Sequence, residues 1–169
     1  VLAIVKEVYE TLRERNIKTE LGIHCHNDSG CAVANSIIAS EYLNQIQGTI
    51  NGIGERTANA DLSQVIPNLM LKKGISTNVK LKDLTHCSTQ VYTLANIKPR
   101  GEQPYVGKLA FMHKAGMHVD AIMKGARYEH IEAELVGKNK GIVLSDLSGA
   151  ANVVEVLRNF GVEADKKDT

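Results

Sequence analysis

No apolar run in this 169-residue sequence approaches the roughly 18 consecutive residues that a membrane-spanning helix requires, so a helical span is excluded. Charge of one sign is also lacking. The formal net charge is +1, and the basic residues are scattered, with Lys72-Lys73 and Lys166-Lys167 as solvated pairs. That leaves no strong field to select nucleic acid or an anionic membrane surface. Cysteine is scarce: Cys25, Cys31 and Cys87 form no CxxC pattern, and the odd count fits a reducing, cytoplasmic setting. There is no internal repeat and no low-complexity segment. Residues 1–15 mix acids and bases, unlike a secretory leader. What remains is 43% hydrophobic and 23% charged, the composition of soluble globular proteins, with length enough for one ordinary domain.

Against this background one stretch organises the chain: Leu21-Gly-Ile-His-Cys-His-Asn-Asp28, two histidines two residues apart at the end of an apolar run. In a β-strand, side chains at i and i+2 share a face. His24 and His26 therefore aim two imidazoles at one point, while Ile23 and Cys25 pack behind them. Such a pair suits a divalent cation when oxygen ligands complete the shell, but on this motif alone two hydrogen-bonded histidines at a strand end are the commoner arrangement. A zinc hydrolase reading lacks an HExxH helix or another ligand set. A second stretch, Asn51-Gly-Ile-Gly-Glu-Arg-Thr-Ala-Asn59, follows a strand expected at 47–51. Its glycines permit a tight turn, and Glu55, Arg56 and Asn59 place polar groups at the mouth of that strand. Thr57 stands where a GxGxxG nucleotide loop needs its third glycine. Glu55 and Arg56 read as a structural pair.

In order, the periodicity predicts a helix over 1–15 with Val1, Val5, Val8 and Leu12 on one stripe, stopped at Asn16. A buried parallel strand follows at 20–26. A helix over about 30–44 is expected to start from Asp28 or Ser29 as cap and to bury Val33, Ile37 and Ile38. A further helix starts at Asn59 or Asp61, is kinked or divided at Pro67, and ends at Gly74. Helix, strand, helix, strand, helix is a β/α crossover repeat, and both polar clusters lie at the C-terminal ends of strands. That is the face on which parallel α/β barrels build active sites. Beyond residue 75 the expectation is a helix over 80–97, a turn-rich linker at 99–104, a helix over 117–123 and a last helix over 150–160.

The motifs HCHND and NGIGERTAN together resemble those of the family that contains 2-isopropylmalate, homocitrate and citramalate synthases. Leu94-Ala-Asn, Pro104-Tyr-Val-Gly, Phe111-Met-His-Lys-Ala-Gly-Met-His118, Tyr128-Glu-His-Ile, Glu134-Leu-Val-Gly and Leu147-Ser-Gly resemble later family segments, and the combination is most similar to the citramalate synthase branch. The departure is Ala58, where the family usually has glycine. The resemblance implies an α/β fold: residues 1–74 as the C-terminal segment of a (β/α)8 TIM barrel, and 75–169 as mainly helical linker subdomains. A whole barrel needs about 250 residues, so the chain reads as a fragment, inactive alone.

The reaction implied by the resemblance condenses acetyl-CoA with a 2-oxo acid, pyruvate in the citramalate branch. The methyl group loses a proton, the enolate attacks the ketone, and water releases free CoA from the thioester. A divalent cation (Mg, Mn or Zn) polarises the ketone. Here the resemblance gives His24 and His26 as imidazole ligands and Asn59 as a weaker oxygen donor; the family's Asp-Arg-Glu motif, source of its carboxylate ligand, does not occur in this sequence. Asp28 is read as a cap rather than as a histidine's outer partner. The resemblance also implies that His118 and Tyr128 serve proton transfer from the partner subunit of a homodimer, in a cytoplasmic enzyme of branched-chain amino-acid biosynthesis. A different class of reading remains beside it, a non-catalytic dimerisation or interaction module.

Overall fold

The computed structural model describes residues 1–113, 129–142 and 148–163. It divides into two compact units, 1–99 and 100–169.

In the first unit, helix α1 spans Leu2–Glu14. It ends where expected: Asn16 takes a left-handed φ of 53°, and the Ile17 amide returns to the Leu12 carbonyl at 2.8 Å. Its apolar stripe is only partly covered, and Val1 and Val8 are exposed. Strand β1, Gly22–His24, pairs in parallel with β2, Gln45–Gln47, in the register Ile23 opposite Ile46. The second strand thus lies nearer the N-terminus than the 47–51 expected from its apolar character. Gly48 and Thr49 have left the β1 ladder, and the Thr49 amide bonds to the Ala60 carbonyl at 3.0 Å.

Helix α2, Ala32–Ala39, is shorter than expected and continues as a 3-10 turn, Ser40–Tyr42. Its fully buried stripe is Ala32, Ser36 and Ala39; of the expected face, Val33 packs half-buried against the core and Ile37 is half-buried, while Ile38 is 48% exposed, a correction. Small side chains let the helix axis approach its neighbours, and Ser36 satisfies its hydroxyl on the Ala32 carbonyl at 2.8 Å. The cap also differs. Neither Asp28 nor Ser29 serves; the Ala32 amide donates to Asn27 Oδ1 at 3.2 Å.

Helix α3, Leu62–Pro67, begins at Asp61, whose carboxylate accepts from the Ser63 amide at 2.9 Å. Beyond Pro67 the chain passes into a π-helical turn, Asn68–Lys72, so the proline divides the segment as expected. Helix α4 covers Leu84–Leu94. The core joins Ala32, Ala60, Val65 and Leu69, with Cys25 and Ile46 packed against it. Burying Val65 contributes about 2 kcal/mol.

The second unit holds a short parallel pair, β3 (Met112–His113) with β4 (Gly141–Ile142), a 3-10 turn (Ala133–Val136) closed by left-handed Gly137, and helix α5 (Ala150–Asn159). Phe111, Ala133, Val136 and Val154 are buried in it. The helix expected over 117–123 lies outside the described residues. No helix among the described residues is long and apolar enough to cross a membrane.

Candidate active site at the strand ends

Beyond β1 the chain stays extended through His26, which makes an isolated antiparallel bridge with Asn59. Three backbone bonds define how the segment after the second motif returns. The Asn27 amide donates to the Ala58 carbonyl at 2.8 Å, the Ala60 amide to the Cys25 carbonyl at 2.9 Å, and the Leu62 amide to the Thr49 carbonyl at 2.9 Å. Residues 58–61 are therefore seated between the C-terminal ends of β1 and β2. Gly48 is needed for this fit, because a Cβ there would overlap the Ala60 carbonyl.

His24 and His26 lie on one face, as the period of two requires, with ring centroids 5.1 Å apart at an interplanar angle of 68°. Both are exposed, whereas Ile23 and Cys25 on the other face are half-buried, and Cys25 is a packed thiol of the core. Asn59 is half-buried beside His26 in the backbone bridge. Its amide nitrogen faces the 53–54 backbone, donating to the Ile53 carbonyl at 3.4 Å, and a Cβ on Gly54 would overlap that side chain. Its Oδ1 is buried without a hydrogen-bond partner. A buried orphan acceptor costs on the order of 1–3 kcal/mol unless something fills its lone pairs. Among the described residues no group of three or more His, Cys, Asp or Glu could hold a metal ion. Two imidazoles on one strand face and, across the backbone bridge from His26, an amide oxygen without a partner are donors of the kind a divalent cation takes together with water or substrate oxygens.

The second motif is folded tightly around Asn51. With φ 65°, Asn51 is buried and donates from Nδ2 to the Ser88 carbonyl at 2.9 Å, while Ser88 Oγ donates to its Oδ1 at 2.5 Å. The loop is thereby tied to α4. Arg56 pairs with Glu55 at 3.8 Å, as expected, and in addition forks onto Asp28: Nε donates to Oδ1 at 2.8 Å and Nη2 to Oδ2 at 2.9 Å. The hydrogen bond from Arg56 holds the Asp28 carboxyl below its ordinary value, and the same bond raises Arg56. Nothing in the spacing of 28 and 56 announces this pair, since it forms only when the loop returns along the strand end. Arg56 and Ala58 have φ of 55° and 98°, a region that L-residues rarely occupy. The alanine that departs from the usual glycine therefore sits where a glycine would be relaxed.

His118 and Tyr128 lie outside the described residues. In the second unit the unforeseen feature is His113, whose Nε2 lies 2.8 Å from Glu129 Oε1, with Lys140 3.8 Å from the same carboxylate. Burial pushes Glu129 up, but the His113 hydrogen bond, its own backbone bond and Lys140 outweigh that and leave its pKa lowered. The sequence held no signal for this pair.

Two family models match the chain: HMGL-like over residues 2–91, and homocitrate synthase post-HMGL domain-like over residues 105–169. The chain is 49% identical to an (R)-citramalate synthase of Sulfolobus acidocaldarius and 46% identical to one of Aquifex aeolicus, in each case over 96% of this chain and 32% of the relative. It is 38% identical to a 2-isopropylmalate synthase of Methanocaldococcus jannaschii, again over 96% of this chain and 32% of the relative. The chain thus spans about a third of the length of these relatives.

Proposed function

The chain belongs to the HMGL-like family of TIM barrels, and from that premise we propose that it forms part of an acyltransferase that condenses acetyl-CoA with pyruvate to give citramalate. In this reading residues 1–74 are barrel and 75–169 linker subdomains. The observation that carries it is the partnerless Asn59 Oδ1 at the strand end shared with His24 and His26. A divalent cation held there supplies Lewis acidity to the 2-oxo acid's ketone. His24 and His26 offer ring nitrogens from one face, and Asn59 offers an amide oxygen. His118 moves a proton and Tyr128 orients a hydroxyl or water, both reaching the site from the partner subunit of a homodimer in the cytoplasm. The pyruvate assignment draws on the citramalate synthase relatives. The 2-isopropylmalate synthase relatives favour a longer 2-oxo acid as the second reading.

The test is free-CoA release by the full-length protein from acetyl-CoA with pyruvate, 2-oxoisovalerate or 2-oxoglutarate, together with bound metal on the same samples. Pyruvate is expected to be the preferred acceptor. His24→Ala and His26→Ala are expected to lower bound metal and turnover together, by at least ~100-fold in rate. Full turnover in either alanine variant would overturn the ligand assignment, and preference for another acceptor would overturn the substrate.

A further inference from the structure

The turn that delivers Asn59 contains two non-glycine residues at positive φ, Arg56 and Ala58. Such residues cost roughly 1–3 kcal/mol each and persist only where surrounding contacts hold them. The side chain of one of them, Arg56, is the fork that closes on Asp28, two residues beyond His26. Between the fork and Asn59, the Ala58 carbonyl accepts from the Asn27 amide, and the Ala58 amide donates to the Glu55 carbonyl at 2.9 Å. A charged tie, a strained hinge and a candidate ligand thus follow one another within four residues of chain, and all are braced on the strand end that carries the other two ligands.

We propose that Asp28 and Arg56 are positioning residues for the metal site, their two-point ion pair holding the 56–59 turn in its strained form so that Asn59 Oδ1 stays presented beside His26. The proposal rests on the reading of His24, His26 and Asn59 as ligands. The pair is exposed, so its role is orientation rather than bulk stability. Orientation needs the planar fork, because a lysine ammonium is a point charge and fixes no plane. Groups outside a ligand shell that orient it typically change metal affinity by about 10–100-fold when removed. Ala58 works against the pair: its φ of 98° stores strain that favours release of the turn, and glycine at this position would remove that strain.

The experiment titrates Mn2+ into the metal-stripped full-length protein and follows free Mn2+ by electron paramagnetic resonance, with thermal melts on the same samples. Expected is a loss of at least ~100-fold in affinity for His24→Ala and of roughly 10-fold for Arg56→Lys and for Asp28→Asn. Ala58→Gly placed in the Arg56→Lys background is expected to recover at least about threefold. Lys73→Gln, which breaks the unrelated Lys73–Glu41 pair of the same unit, is expected to leave Mn2+ affinity unchanged. The reversed pair, Asp28→Arg with Arg56→Asp, supplies a second variant in which both charges remain. Wild-type affinity in Arg56→Lys and Asp28→Asn, with His24→Ala still losing the ion, overturns the positioning role and leaves the ligand reading intact. An affinity loss that tracks a fall in melting temperature and is not recovered by Ala58→Gly also overturns it, as a plain structural effect. Undiminished binding in His24→Ala overturns the ligand reading itself.

Discussion

In the first unit the Asp28–Arg56 pair stands in solvent, its side chains 52% and 54% exposed, whereas in the second His113 and Glu129 meet with only 18% and 9% exposed. The two pairs have nearly the same contact distance, 2.8 Å in each case, yet they do different work. In water the Coulomb gain is small and the fork contributes direction. Away from water each partner has lost hydration, so each depends on the other, and removing one leaves a desolvated group behind. The first unit is joined instead by backbone bonds between 25–27 and 58–60 and by a small-residue core, so its charged pair is free to serve a site.

The sharpest way to break this comparison is His113→Ala. Glu129 would keep its own backbone bond and Lys140 at 3.8 Å but lose its closest charged partner, and destabilisation of about 2 kcal/mol is expected. Hydrogen exchange on the full-length protein should show lost protection at 111–113 and 129–142, with residues 1–99 unchanged. Equal loss in both regions would mean that the pair is no local brace.

Of similar size is Asn51→Ala in the first unit. It deletes both bonds to Ser88 and leaves alanine at a φ of 65°, so a loss of about 2 kcal/mol is expected in denaturant melts. Asn51→Gly should recover the backbone part alone. A wild-type midpoint for Asn51→Ala would show that the loop is held without α4.

The smallest effect is acid. Glu129 has its folded pKa lowered from 4.5, so it contributes stability that is present above that value and lost as pH falls through the folded pKa. Protection in the second unit should therefore weaken below about pH 4.5, and Glu129→Gln should flatten this dependence. A pH response unchanged by Glu129→Gln would assign it to other carboxylates.

Several local features were legible because short-range sterics decide them. Asn16 ends α1 since asparagine tolerates the left-handed turn, Asp61 caps α3 since its carboxylate reaches an amide two residues on, and Pro67 divides its helix because it has no amide hydrogen to donate. The shared face of His24 and His26 follows from the period of a strand alone. Features that depend on what lies opposite were not legible. Ile37 and Ile38 promised a buried face by hydropathy, but close approach selected Ala32, Ser36 and Ala39. The β2 ladder moved toward the N-terminus because the Thr49 backbone is taken up by residues 60–62.

For this protein the sequence by itself determined which residues could gather at the strand ends: an imidazole pair of period two, a glycine-bearing loop and an asparagine after it. Those depend on bond geometry within a few residues, which the order of side chains sets directly. Only the tertiary structure decided that Asn59 returns beside His26 with its oxygen unsatisfied, that Arg56 adds a fork onto Asp28 to its pair with Glu55, and that Ala58 bears a glycine's backbone. These are long-range outcomes. Each depends on the path of the whole loop between two strands, where backbone bonds outside the loop outweigh the local preference of any one residue within it.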